Sequence, residues 1–204
     1  LGKFDKEYYF IVSSGNDANP MLTPDENTEG RAFRYEAQLI GSPPLVFFNG
    51  SFEYQRKNKI PSMKISSCIL LSGSNLVIPG SIRDVLLELE IPNLHMHPVA
   101  YKHDDKKWYE DYWFMAFSER FDCWDRKFSH YDQEAPPIEL GGFVLEQVYS
   151  YSLNDELLEK TPLRNRLLFQ MGGDLSAFFV CHKSLLKLFN GSQESIHLIS
   201  IGDF

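Results

Sequence analysis

Three groupings in this chain have the residue types and spacing that chemistry uses. His95 and His97 alternate along a strand-like stretch, so both rings point to one face, as two ligands of a metal ion would. His103, Asp104 or Cys123 could supply a third ligand. Pro98 follows directly, however, and no matching Cys or His cluster accompanies the pair, which reads as ordinary surface or half-buried histidines. Cys123 with Asp125 and His130 outlines a thiol and a base. An activated thiolate needs an adjacent cation or helix N-terminus, and Cys123 beside Trp124 reads instead as packing. The third grouping is Asp104, Asp105, Glu110 and Asp111 around Lys106, Lys107, Trp108 and Tyr109. Paired carboxylates can serve acid–base work or hold a hydrolytic metal, but Asp-Asp-Lys-Lys between two strands is also the composition of a hairpin tip. Loops on a rigid sheet commonly carry recognition, and Trp and Tyr anchor interfaces. No catalytic residue, metal ligand or cofactor is assigned. The candidate site is a partner-binding one, made of Asp104, Asp105, Trp108, Tyr109, Glu110 and Asp111.

These residues need a frame, and its centre is the stretch Tyr109–Trp124. Aromatic and apolar residues run nearly unbroken from Trp108 to Phe117, which predicts a strand covered on both faces, ending at Ser118-Glu119-Arg120. Upstream, Tyr8–Val12 is a strand and residues 13–32 read as a polar loop. Leu45–Phe48, Asn49-Gly50 and Ser51–Tyr54 carry the sequence signal of a hairpin, and residues 56–62 read as a basic surface loop. Next comes a segment that recurs at an offset of 103 residues. Val77 pairs with Val180, Ser81 with Ser184, Ile82 with Leu185, Val85 with Leu188 and Leu86 with Phe189. Each copy reads as short strand, short helix, strand. In the first, Ile82, Val85, Leu86 and Leu89 form one apolar stripe, with Ser81 as the expected N-cap. Further strands are expected at Phe143–Tyr149 and Leu167–Gln170, and a helix capped by Asn154 runs to Lys160. Gly141-Gly142 and Gly172-Gly173 lack a phosphate-cradling pattern and read as turns. The class is α+β: mostly antiparallel sheet with a few short helices and two related strand-helix-strand units.

A chain of 204 residues, 43% hydrophobic and 14% aromatic, can bury a substantial core. A net charge of −8 argues against nucleic acid as a partner. Three widely spaced cysteines are not a disulfide framework and favour a reducing compartment. No apolar stretch reaches the length of a membrane span.

Three segments together resemble a known family: Asn93–Val99; Tyr112–Phe117; and Phe121-Asp122-Cys123-Trp124-Asp125-Arg126-Lys127-Phe128-Ser129. They are similar to the family-eleven immunity proteins of bacterial polymorphic toxin systems, formerly a domain of unknown function. Phe179-Val180-Cys181 stands where a Phe-Val-Ser-like strand opens the late helix in that family, with Cys in place of Ser. The resemblance covers about residues 68–201. It implies an immunity-protein-like α+β domain over 68–204, with 1–67 as N-terminal strands, loop and hairpin of the same domain or a small subdomain. It implies a cytoplasmic antitoxin-like protein, not an enzyme, that binds and neutralises a cognate toxin encoded by the adjacent gene. The contact surface would lie among residues 17–29, 103–111 and 130–134. Two other readings stay open: a scaffold or self-assembling homo-oligomer, and a metal-assisted hydrolase built on His95 and His97.

Overall fold

The structure, a computed structural model, describes residues 2–32, 37–65 and 68–204; the expected boundary at 67/68 falls where residues 66 and 67 lie outside them. The chain begins β1 (Tyr8–Ser13), β2 (Leu22–Pro24), α1 (Glu26–Ala32), β3 (Leu45–Asn49), α2 (Phe52–Lys57), β4 (Leu70–Ser72), β5 (Asn75–Pro79), α3 (Gly80–Glu88), β6 (Leu94–Lys102) and β7 (Trp108–Phe117). It continues β8 (His130–Tyr131), β9 (Ile138–Leu140), β10 (Phe143–Leu145), β11 (Val148–Ser150), α4 (Asp155–Lys160), β12 (Leu168–Gln170), β13 (Phe179–His182), α5 (Leu186–Phe189) and β14 (Ile196–Ser200). This is the expected α+β class, with several mostly antiparallel sheets and few, short helices.

Two compact units interleave along the chain. One comprises Leu1–Val12, Glu119–Lys187 and His197–Phe204; the other comprises Ser13–Ser118 and Leu188–Ile196. The second unit holds a six-stranded sheet in the order β2-β3-β6-β7-β5-β4. Its core packs Leu45, Phe47, Val99, Tyr101, Tyr112 and Phe114 with Leu22, Met63 and Val77. The first unit is built on a four-stranded sheet, β12-β13-β1-β14. There Tyr8, Phe10, Cys123, Trp124, Leu158, Phe169 and Val180 form the core.

The 103-residue echo is a topological one. β5 and β6 each pair antiparallel with β7, so they run parallel to each other with β7 between them. In the second copy β13 and β14 likewise flank a single strand, β1. Pro79 and His182, one offset apart, both stand extended at the helix entrance, with φ −70° in each. Pro79, not Ser81, is the N-cap residue of α3, because the helix already starts at Gly80, and no side chain caps it. His182 does cap, accepting from the Ser184 N–H. On α3, Ile82 and Leu86 are buried whereas Val85 is 38% exposed, so the apolar stripe is narrower than its spacing suggests.

Three expectations fail for local reasons. Asn49-Gly50 does not turn a hairpin: β3 pairs parallel with β6 and antiparallel with β2, and α2 follows it. A tight hairpin turn of that type needs positive φ at both central residues, and neither Asn49 nor Gly50 has it. Instead Asn49 Oδ1 accepts from the Ser51 N–H at 2.9 Å. Gly50 passes close to β2, where a Cβ would sit 2.1 Å from Thr23 Oγ1 as that side chain stands. The polar stretch 13–32 holds β2 and α1, and the helix is started by Asp25 Oδ1 accepting from Thr28 N–H at 2.7 Å. The strand expected over Phe143–Tyr149 is broken at Glu146-Gln147 into β10 and β11. Asn154 caps α4 as its sequence requires, accepting from Leu157 N–H at 2.9 Å.

Candidate functional site

β7 carries the candidate residues, and its alternation is interrupted. Val99 faces Tyr112 and Tyr101 faces Tyr109 across the β6–β7 ladder, so two steps on β6 match three on β7. The extra residue is a β-bulge at Glu110-Asp111. Without it Tyr109 and Tyr112, an odd number apart, would fall on opposite faces; with it both pack on the same core. Glu110 and Asp111 are consequently both exposed. Beyond the bulge the strand behaves as expected, with Tyr112, Phe114, Met115 and Phe117 all buried.

The tip is the tight turn that Asp-Asp-Lys-Lys implies. His103 N–H donates to Lys107 O at 3.1 Å, and Lys106 takes a left-handed φ of 64°. Asp105 accepts from the Lys107 N–H and the Tyr109 hydroxyl, each at 2.9 Å. The Lys107 amide first, and the Tyr109 hydroxyl after it, hold the Asp105 carboxyl below the usual range. Asp104 accepts from Asn49 Nδ2 and Ser62 Oγ, both at 3.0 Å, tying the tip to the end of β3. His103 is buried, with Nε2 2.8 Å from Met63 O and Nδ1 2.8 Å from the Tyr101 hydroxyl. A carbonyl only accepts, so Nε2 carries the proton and Nδ1 accepts from Tyr101. Burial pushes the Tyr101 phenol far above its ordinary range. A shallow groove of about 450 Å³ runs past Phe52, Ser62, Met63, His103, Asp105 and Tyr109.

On the other face of the sheet the register aligns one row across four strands. Thr23 faces Phe48, Phe48 faces Lys102, and Lys102 faces Trp108. Trp108 is 49% exposed and Phe48 40%, their rings edge-on at 6.3 Å with the Lys102 ammonium 5.4 Å over the indole. Asp111 stands elsewhere again, with its carboxylate over Gly80 at the start of α3. The six sequence candidates thus separate into three places. Asp104, Asp105 and Tyr109 build the turn; Trp108 and Glu110 face outward; Asp111 meets a helix. Phe48 and Lys102 join the exposed row through strand pairing over about fifty residues, which no local pattern announces.

The other groupings are committed to structure. His97 Nε2 lies 2.9 Å from Pro43 O, and among the described residues no three His, Cys, Asp or Glu side chains converge as a metal would need. Cys123 is wholly buried, its thiol 3.9 Å from Met171 Sδ, and burial drives its pKa far up, so it is no thiolate at neutral pH. His130 lies against Tyr149 at the surface, the ring centroids 5.3 Å apart and the planes tilted by 40°. The Asp122–Arg126 segment is a clamp: Arg126 pairs with Asp122 and lies 3.7 Å over the Trp124 ring. Trp124 Nε1 donates to Gly172 O at 3.2 Å. A Cβ on Gly172 would fall 2.8 Å from the Asp122 nitrogen, so this turn has to be glycine. No helix among the described residues is long and apolar enough to cross a membrane.

No family model matches the chain, and no curated protein matches it.

Proposed function

We propose that this protein is an immunity protein that binds and neutralises a cognate bacterial toxin in the cytoplasm, blocking it by occupancy rather than by chemistry. The observation that carries the reading is the exposed Trp108–Phe48 pair, set on a sheet face beside a turn whose two carboxylates are already hydrogen-bonded. Half-exposed aromatics on a rigid sheet lose little conformational freedom when a partner covers them, which is what an interface anchor needs. The resemblance over residues 68–201 supports the same reading, and its Asp-Cys-Trp-Asp motif has a structural role here rather than a reactive one.

Co-expression with the product of the adjacent gene tests this. The expected result is a stoichiometric complex that co-purifies and restores growth. No complex and no rescue would overturn the proposal.

A further inference from the structure

The charge of the chain is unevenly placed. Residues 129–159 hold seven carboxylates (Asp132, Glu134, Glu139, Glu146, Asp155, Glu156 and Glu159) and no Lys or Arg, so they carry −7 of the net −8. Those on α4 are engaged: Glu156 pairs with Lys160, Glu159 with Lys3, and Asp155 accepts from the Lys3 N–H. Glu134, Glu139 and Glu146 have no ion-pair partner among the described residues.

Within this stretch β9 and β10 form a two-stranded hairpin, closed by Gly141 and Gly142 at φ 60° and 82°, the two positive values a tight hairpin turn demands. Leu140 faces Phe143 and Ile138 faces Leu145, so these four make one apolar face. Leu145 is buried, but Ile138 and Leu140 are each 49% exposed. Glu139 and Val144 make the other face, where Val144 is 57% exposed. The outer edge of β9 pairs with no strand among the described residues. Alternation in an antiparallel pair turns every second residue's N–H and C=O to that open side. Pro136 and Pro137, which lack N–H groups, limit the open edge to Ile138–Leu140.

We propose that the β9 edge takes up an extended, basic segment of a partner protein as an added strand. Such a segment alternates apolar and basic residues, its apolar side chains lying against Ile138 and Leu140 and its Lys or Arg against Glu139. A second copy of this chain is disfavoured, because self-pairing centred on β9 sets Glu139 against Glu139 within two acidic stretches. The inference rests on the neutralising reading only for the identity of the partner.

The probe is a short capped peptide alternating valine and lysine, titrated by fluorescence anisotropy onto the full chain, with a valine–glutamate peptide as control. Saturable binding of the lysine peptide is expected, weakening about tenfold or more as salt rises from low to about 0.5 M. The glutamate peptide does not bind. Glu139→Lys abolishes binding, and the double variant Ile138→Ser, Leu140→Ser weakens it about tenfold or more while both proteins keep the parent melting temperature, their changed side chains being exposed. Absence of saturable binding overturns the proposal, as does binding indifferent to both changes. A dimer in sedimentation that these variants dissolve also overturns it, by assigning the edge to a second copy. With the adjacent gene's product, a complex that survives both variants leaves the neutralising function standing and removes this edge from it. A lysine peptide that binds where no such complex forms does the reverse.

Discussion

The meeting of Asp111 with the start of α3 makes an unusual demand on Gly80. In a helix, replacing glycine by alanine ordinarily gains about 1 kcal/mol. Here the added Cβ would lie 2.1 Å from Asp111 Oδ1, 2.7 Å from Cγ and 2.8 Å from Oδ2. All three atoms are too close, so the carboxylate must swing away from the helix start. Asp111 is exposed, so the rotation itself costs little, but it forfeits about 0.3–1 kcal/mol of carboxylate stabilisation at a helix N-terminus. That loss largely offsets the gain, and Gly80→Ala is expected to be close to neutral. In an Asp111→Ala background the obstruction is gone and Gly80→Ala gains up to about 1 kcal/mol. The coupling energy is then about 0.3–1 kcal/mol, reaching beyond the roughly 0.5 kcal/mol within which independent sites add. Urea denaturation of the four proteins, read at constant m-value, measures it. If Gly80→Ala shifts stability equally with and without the Asp111 carboxylate, the carboxylate does not occupy the helix start and the reasoning fails.

Three further outcomes follow from the same structure. Trp108→Ala with Phe48→Ala should weaken partner binding about tenfold or more while moving the urea midpoint little, since both rings are half exposed; unchanged affinity would remove that face from the interface. A thiol reagent at mildly alkaline pH should label none of the three cysteines until denaturant is added. Each is buried, and burial raises the Cys181 thiol to about 12 and Cys123 further; native-state labelling would show an opening there. His182 packs against Tyr8, and burial lowers its pKa below 6.5, aided by Lys183 and Arg166 and opposed by Glu7. The fold therefore favours the neutral ring. The His182 contribution is complete above about pH 6.5 and is lost as pH falls through that value toward the lower folded pKa. Asn at 182 keeps an acceptor for the Ser184 N–H, so His182→Asn should flatten the stability slope between about pH 7 and 5; equal slopes would refute the assignment.

What the sequence made legible was whatever is decided within a few residues. The β7 run, the Asn154 cap and the Asp104–Lys107 turn are local, and each forms where its residues indicate. The 103-residue echo was also visible, since burying a short helix on a sheet imposes the same apolar spacing twice. Asn49-Gly50 misled because its hairpin signal depends on φ at Gly50, and packing against Thr23 used that glycine for close approach instead. The helix α1 was hidden by a composition, Asp-Glu-Asn-Thr-Glu, that suits a solvated loop as well as a capped first turn. For the candidate site, the turn was readable and the surface was not. Which side chains share a face with Trp108 depends on a bulge and on the β3–β6 pairing, both fixed by long-range register.

The two related strand-helix-strand units differ in what the chain adds near them, and the additions differ in physical character. Beside the first, the segment 102–111 interleaves Lys102, Lys106 and Lys107 with four carboxylates, and its exposed anchors are aromatic. Charge there is nearly balanced and the acids of the turn are already bonded, so any affinity has to come from covering Trp108 and Phe48, a contribution that salt barely touches. Between β7 and the second unit, the 129–159 stretch is acidic throughout and exposes aliphatic side chains on a short strand edge. Its unpaired carboxylates act at a distance, raising the rate at which a basic chain arrives, and they are screened once the Debye length falls below their reach. The two additions therefore predict different salt responses for anything bound at them: contact at Trp108 and Phe48 should change little with ionic strength, whereas contact at the β9 edge should weaken as salt rises.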